Sequence, residues 1–538
     1  MAIGTPSESP AIVVKEVDLS GVVPNVQSTT GAFAGAFRWG PVEQATLVGN
    51  EATLAETFGS PSDSFAVDFL SAAYFLKYSN QLQVSRAADA TALNAVGADS
   101  AGAAKLIKND DDWDNGTHMG NKVWAKYPGT FGNSLKVEVA GATTWAAWGA
   151  SNKNNFDGAP TGAERHVLVI DEDGVISGTS GTVLERFPFV SITDGAVNAD
   201  GSSNNMKEVI NRSSSYIRMS ESLSDSGASL SLVHGSDGAI AGTDDYMRAM
   251  DKFEDKDTVQ LDFLIAPGKN NATDQETLVD DLVTTASSLR KDCVVVTSPA
   301  SASVVGNATP VTATVADAAD YTYSSYLVVD NNWLKVYDKY NDKYINIPAA
   351  SSTAGLMAAA DQNAAPWFSP AGSRRGAYLG VTSLAYTPTK TQRDTLYKAG
   401  INPIANLPGQ GILLYGDKTH MNRPSAFDRI NVRRLFNVIE RAISLAARNT
   451  LFELNDEFTR AEFVNIVEPF LREIKGRRGI TDFRVVCDET NNTAAVIDRN
   501  EFVANIFIKP ARSINYITLN FVAVRSGVDF EEVAGLSV

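Results

Sequence analysis

The chain has 538 residues, 44% of them hydrophobic, with 24 Phe, 16 Tyr and 7 Trp and a formal net charge of −17. That length exceeds one core and predicts roughly two to four domains. The acidity argues against nucleic acid or an anionic membrane as the main partner, and the two cysteines, Cys293 and Cys487, lie too far apart for a disulfide framework or a metal spacing.

Residues 1–20 are polar and Pro-interrupted, then carry one β-prone run containing Ile12, Val13, Val14 and Val17. A run this short makes no core of its own and needs a sheet to join. No basic n-region and no apolar h-region opens the chain, so no signal peptide is expected. Residues 21–95 read as mixed α/β, with a helix at 67–78 and a strand at 82–86. Residues 96–205 turn rich in Gly, Asn, Asp and Trp, with short alternating strands such as 135–139. There a hairpin is expected from 166–170 to 175–177 across Asp173-Gly174. The segment reads as an inserted β-rich domain.

Residues 206–375 return to α/β character. Strands at 259–265 and 293–297 flank a helix at 274–289, which predicts a parallel βαβ unit. The Ala/Ser/Thr-rich stretch 301–319 reads as a loop; its Pro and Gly also rule out a membrane helix over 293–316. Residues 376–526 carry helices at 425–454 and 459–475, the second opening on a Thr459/Glu462 capping box. Strands follow at 483–487, 502–508 and 513–524. The end, with Val528, Phe530 and Val533, is again a lone short extended run. The fold class is therefore α+β and multidomain: an α/β C-terminal core with extended arms at both ends and an inserted β-rich domain. The two arms fit frayed ends, or strands added to another subunit's sheet.

No catalytic or metal-binding motif appears. His118, His166, His234 and His420 lie in separate regions without ligand spacing, as surface or turn histidines. Asp110–Asp114 lacks the Gly and distal Glu of a calcium loop and reads as a solvated acidic turn. In 411–419, Asp417 displaces the Gly-Lys pair of a phosphate loop. Both cysteines adjoin Val runs and are expected to be buried thiols. No cofactor and no enzymatic activity are expected.

The strongest local feature is 425–443. At ~100° per residue, Val432, Leu435, Phe436, Ile439 and Ile443 fall on one side of a helix. Arg434, Arg441 and Arg448 recur every seven residues on another, and from Arg423 to Arg448 six arginines face two carboxylates. On so acidic a chain this reads either as a docking face for an acidic partner or as a solvated helix face.

These motifs carry a resemblance. Pro408-Gly-Gln-Gly411, Gly416-Asp-Lys-Thr419 and 424–434 resemble the contractile tail sheath proteins of bacteriophages, those of the T4-like myoviruses most closely. Residues 9–19, 31–41, 127–135, 181–185, 211–216, 365–372 and 392–397 are similar to that family's sequence in the same order. The resemblance implies a non-enzymatic virion subunit, assembled in the host cytoplasm, that polymerises with itself as hexameric rings around a tail tube. It implies the tube protein, baseplate and tail terminator as partners, with no nucleic acid and no membrane insertion. Contraction would drive the tube through the host envelope. It further implies an inner core from 21–95 with 376–526, a protruding domain at 96–205, a middle domain at 206–375 and arms at 1–20 and 527–538 that knit subunits together. Arg429, Arg433, Arg434, Arg441 and Arg448 are then the expected tube contacts, with Lys475, Arg477 and Arg478 as the alternative cluster; Arg433, at the edge of the apolar face, also fits a core pair. A tailocin or extracellular injection-system sheath fits the same motifs. A soluble enzyme built on the 206–300 unit would need a cleft with convergent titratable groups.

Overall fold

The computed structural model describes residues 28–97, 103–118, 120–223 and 228–515. Arm residues Ile12, Val13, Val14, Val17, Val528, Phe530 and Val533, and most of the expected 513–524 strand, lie outside them. The architecture is mixed α and β in several layers.

A seven-stranded sheet organises the middle of the molecule. Its order is Ile401–Asn402, Leu327–Asp330, Val294–Thr297, Phe263–Ile265, Gly31–Ala36, Leu82–Ala87 and Thr46–Val48. All neighbours pair in parallel except the last two. Runs such as Val294-Val295-Val296 are apolar on both faces because helices cover both. Phe33, Phe263 and Ile265 pack on one side with helices Ala66–Phe75 and Ala350–Asn363. Ala32, Leu264 and Val295 pack on the other with Thr243–Met250 and Ala272–Thr284. Gly355 lets the Ala350–Asn363 helix lie directly on the Tyr78 ring, where a Cβ would collide.

The expected βαβ unit is present: Phe263–Ile265, the helix Ala272–Thr284 and Val294–Thr297, the two strands parallel. The 301–319 stretch corrects the sequence reading. It forms helices Ser301–Val304 and Pro310–Asp320, with Thr314, Asp317 and Ala318 buried. Pro310 sits in the first turn, where its missing N–H costs nothing, so it starts a helix instead of breaking one.

A second, antiparallel sheet has the order Thr182–Ser191, Glu164–Asp171, Leu135–Gly141, Ser229–Val233, Val96–Gly97, Val123–Ala125 and Ile217–Met219. It therefore runs past the expected boundary at 205. The expected hairpin also shifts: the partner of Glu164–Asp171 is Thr182–Ser191, and 175–177 is loop. The Asp171 carboxylate accepts from the backbone N–H groups of Gly174, Ile176 and Ser177 at 3.0, 3.1 and 2.7 Å. Those donors are thus diverted from a strand ladder.

The expected inner core of 21–95 with 376–526 shares its sheet with strands of the middle segment. The strands of 21–95 pair with those of 263–330; among the described residues 376–515 contributes the edge strand Ile401–Asn402 to that sheet and packs Tyr378, Ile404, Leu414 and Ile430 into the same core as Phe33. Helices Ile430–Ala447 and Glu457–Gly476 and an antiparallel pair, Ile480–Val486 with Asn505–Pro510, build a further unit around their own core. The second helix is capped by Asp456, which accepts from Thr459 N–H at 2.8 Å, one turn before the expected cap.

Candidate functional site

The arginine helix Ile430–Ala447 buries Leu435, Ile439 and Ile443 against Phe463, Val467 and Leu471 of its neighbour. Its cations, Arg448 apart, do not point outward. Arg434 is 4% exposed and donates to Asp361 Oδ1 at 2.7 Å, Met357 O at 3.0 Å and Ser28 O at 3.2 Å. Its guanidinium also lies over the Phe263 ring. Arg441 donates to Asp262 Oδ1 at 2.8 Å and to the Asp292 carbonyl at 2.9 Å. Arg433 donates to Asn437 Oδ1 at 2.8 Å, pairs with Glu440 at 3.4 Å and lies between the Tyr326 and Phe427 rings. Arg429 pairs with Asp417 at 2.9 Å. Arg448 alone of the five is mainly exposed, paired with Asp257 at 2.8 Å.

This corrects the expected docking face. Arg434 and Arg441 tie the C-terminal unit to the parallel sheet and its flanking elements, whereas Arg433 pairs within its own helix and reaches the sheet only through the Tyr326 ring, and Arg429 pairs with Asp417. A buried guanidinium persists only when paired and hydrogen-bonded, and the acidic strand ends supply those partners. Burial pushes the Asp361 carboxyl up to about 6 despite the Arg434 charge. Burial likewise raises Asp262, with Arg441 opposing.

Sequence reasoning missed what these arginines hold. Ser28, the first described residue, gives its carbonyl to Arg434 and donates its hydroxyl to Asp361 at 2.7 Å. At the other end, the Ser513 hydroxyl donates to Asp417 at 2.6 Å. The Asn515 side-chain oxygen, in its satisfied orientation, accepts from Arg429 and Tyr397. The start of one helix thus holds both ends of the described residues, Ser28 and Asn515. The available signal was Arg429 and Arg434, each followed directly by an apolar residue, with Asp361 and Asp417 in otherwise apolar or turn contexts.

The alternative cluster differs. Lys475 pairs with Asp482 at 3.1 Å and Arg477 with Glu473 at 3.5 Å, all four side chains at least 45% exposed. Arg478, also exposed, holds the turn with φ 67°. Beside this turn opens a cleft of about 1320 Å³ walled by Trp367 and Phe368.

The remaining candidates are structural. His166 and His420 are buried, correcting the surface expectation. The His166 ring stacks on Phe156 and contacts the Gly158 carbonyl at 2.9 Å; the His420 ring stacks on Tyr323 and contacts the Ala318 carbonyl at 2.8 Å. His118 stacks on Trp113, and His234 sits at φ 67°. The acidic turn is instead a helix, Asp110–Asn115, capped by Asn109 and paired through Asp110 with Arg218. Acidic residues suit a first turn because they face the positive end of the helix dipole. Cys293 and Cys487 are free and buried. Among the described residues no group of His, Cys, Asp and Glu could hold a metal, and no helix is long and apolar enough to cross a membrane.

Comparison with known proteins bears on this arrangement. The family model of the phage tail sheath protein central domain matches residues 239–420, and that of the phage tail sheath C-terminal domain matches 422–523. The chain is 33% identical to the tail sheath protein of Enterobacteria phage T4, over 98% of this chain and 99% of that one. Identity and coverage are the same for the tail sheath protein of Vibrio phage KVP40. The fold is similar to the crystal structure of a sheath tail protein from Listeria innocua, with a TM-score of 0.59 and 14% identity over 91% of this chain and 93% of that one. It is also similar to the contracted helical sheath of the anti-feeding prophage, with a TM-score of 0.54 and 12% identity over 96% and 99%.

Proposed function

The chain belongs to the phage tail sheath family, and from that premise we propose how its parts serve a contractile sheath. It is a structural subunit of the virion tail and not an enzyme. In this reading it is made in the host cytoplasm and polymerises as hexameric rings around a tail tube, between a baseplate and a tail terminator. Contraction does work through the free-energy difference between two packings of the same subunits, so no hydrolysis is required.

The observation that carries the reading is the pair Ile480–Val486 and Asn505–Pro510. Among the described residues no third strand joins it, and every other residue of Asn505–Pro510 is exposed. A two-stranded ribbon is marginal alone, and among the described residues both of its edges are open. Strands from neighbouring copies, carrying Ile12, Val13, Val14 and Val17 or Val528, Phe530 and Val533, would complete it by backbone hydrogen bonding. The tube contact falls to the exposed turn Lys475, Arg477 and Arg478, with Arg448 as the one accessible cation at the end of the arginine helix. Exposed ion pairs of ~0–1 kcal/mol each make a grip that can release during contraction.

The test is negative-stain electron microscopy of the recombinant full chain beside a chain lacking residues 1–20. Long hollow tubes from the full chain, and small oligomers from the truncation, are expected. Tubes from both would remove the N-terminal arm from the account. Compact monodisperse particles from both would remove the polymer itself.

A further inference from the structure

The loop joining the two C-terminal helices has no internal role that explains its composition. In segment 451–458, which spans the loop and the first residues of the second helix, Leu451, Phe452, Leu454 and Phe458 are 62%, 105%, 76% and 77% exposed. Four large apolar side chains within eight residues are a patch, not scattered surface hydrophobics. Glu453, Asp456 and Glu457 are exposed beside them, and the segment carries no cation. Phe452 adopts φ 72°, a region an aromatic residue rarely occupies, so the backbone holds its ring out in solvent. The loop is an acidic, apolar knob.

The cleft beside turn 475–478 has the opposite character. Trp367 and Phe368 form apolar wall, and Arg374, Arg375, Lys390, Arg393 and Arg512 line it. Its carboxylates are only Asp394 and Asp417, and Asp417 is already paired with Arg429. Asn431 lines the same cleft. It is 4% exposed, and its side-chain oxygen has no hydrogen-bond partner among the described residues. A buried acceptor left open in this way suits a donor from an incoming chain.

Knob and cleft stand at opposite ends of one helix pair. The 18-residue helix Ile430–Ala447 starts at the cleft and ends at the knob, a span of ~27 Å. One copy therefore cannot join its own two surfaces across that distance. Two unlike complementary patches on one chain generate a head-to-tail contact, which propagates into a ring or a helix.

We infer that segment 451–458 of one copy seats in the Trp367/Phe368 cleft of a second copy. Phe452 and Leu454 lie against the aromatic wall, and Glu453 and Glu457 meet the cleft arginines. The contact is separate from terminal-strand exchange. The inference rests on the sheath reading, because it needs copies arranged in a polymer.

The test mixes two full-length single variants, Phe452→Cys and Ser369→Cys, under mild oxidation; Ser369 lines the cleft and both native cysteines are buried. A disulfide-linked heterodimer is expected. Glu453→Lys in the first chain should lower its yield at least ~10-fold, and adding Arg393→Glu to the second should recover it, because the charges are then exchanged. No link, while the unmodified chain forms tubes, overturns the inference and leaves the sheath reading standing. No link and no tubes remove both. Ser369→Cys linking to Phe530→Cys and not to Phe452→Cys gives the cleft to the terminal segment and also overturns it.

Discussion

The C-terminal unit carries two basic regions that look alike in sequence and differ in every physical respect. The arginine helix turns its cations inward, onto Asp361, Asp262, Asp417 and backbone carbonyls. The turn at 475–478 turns its cations outward, onto exposed carboxylates. Charge counting treats both as docking faces. The difference lies in where the partners sit. Strand-end and helix-end acids of the parallel sheet reach the first region before any outside partner can. A buried pair fixes geometry and cannot be exchanged cheaply, whereas an exposed pair is weak and reversible.

The largest effect separating the two regions should come from Arg434→Ala. It leaves Asp361 buried, 3% exposed at the side chain, without its cation, and should destabilise the fold by ~3–5 kcal/mol in chemical denaturation. Combining Arg434→Met with Asp361→Leu should recover most of that loss, because neither charge then remains buried. If Arg434→Ala alone costs under ~1 kcal/mol, the buried-pair account of this helix fails.

A buried carboxyl with no cation sharpens the same contrast through pH. Burial pushes Asp330 up to about 7, against hydrogen bonds from Ser298, the Asn332 amide and Thr353. Its folded value lies above the ordinary 3.8, so the folded state keeps a proton that the unfolded chain has released. The resulting stability is fully present below about 3.8 and is lost as pH rises through about 7. Asp330→Asn should flatten the fall in stability across that window, measured as denaturation midpoint against pH. An unchanged slope would mean that other groups set it.

Much of the fold was legible because periodicity reports burial. The Val run at 294–296 and the apolar 263–265 strand marked a parallel sheet, and the helix between them followed from its amphipathic pattern. The 301–319 helices were hidden because Pro310 and the many Ser and Thr residues read as breakers; the first-turn position of that proline reverses its meaning. The 175–177 strand was a false signal because Asp171, outside the run, takes its backbone donors. The site was less legible still. Helical phase places Arg434 off the apolar face of its own helix, but says nothing of the second apolar surface, around Phe263 and Met357, that meets it there. Pairings across 73 and 179 residues, Arg434 with Asp361 and Arg441 with Asp262, arise from topology and leave no local pattern.

The smallest effect on stability should come from the outward region, and its value lies in being small. Arg477 is half exposed, pairs with Glu473 one turn away and lies over Trp367. Arg477→Ala should cost only ~0–1 kcal/mol of folding stability, because water solvates both partners in the folded and unfolded states. Its effect belongs instead to assembly. If the turn grips an acidic tube, Lys475→Ala, Arg477→Ala and Arg478→Ala together should weaken co-sedimentation of the sheath protein with purified tubes. The residual binding should then depend less on salt, since screening acts on the charges removed. Stability and tube binding lost together would make the turn structural, like the helix before it. Both retained would place the grip elsewhere, with Arg448, the exposed member of the arginine helix, as the next residue to change.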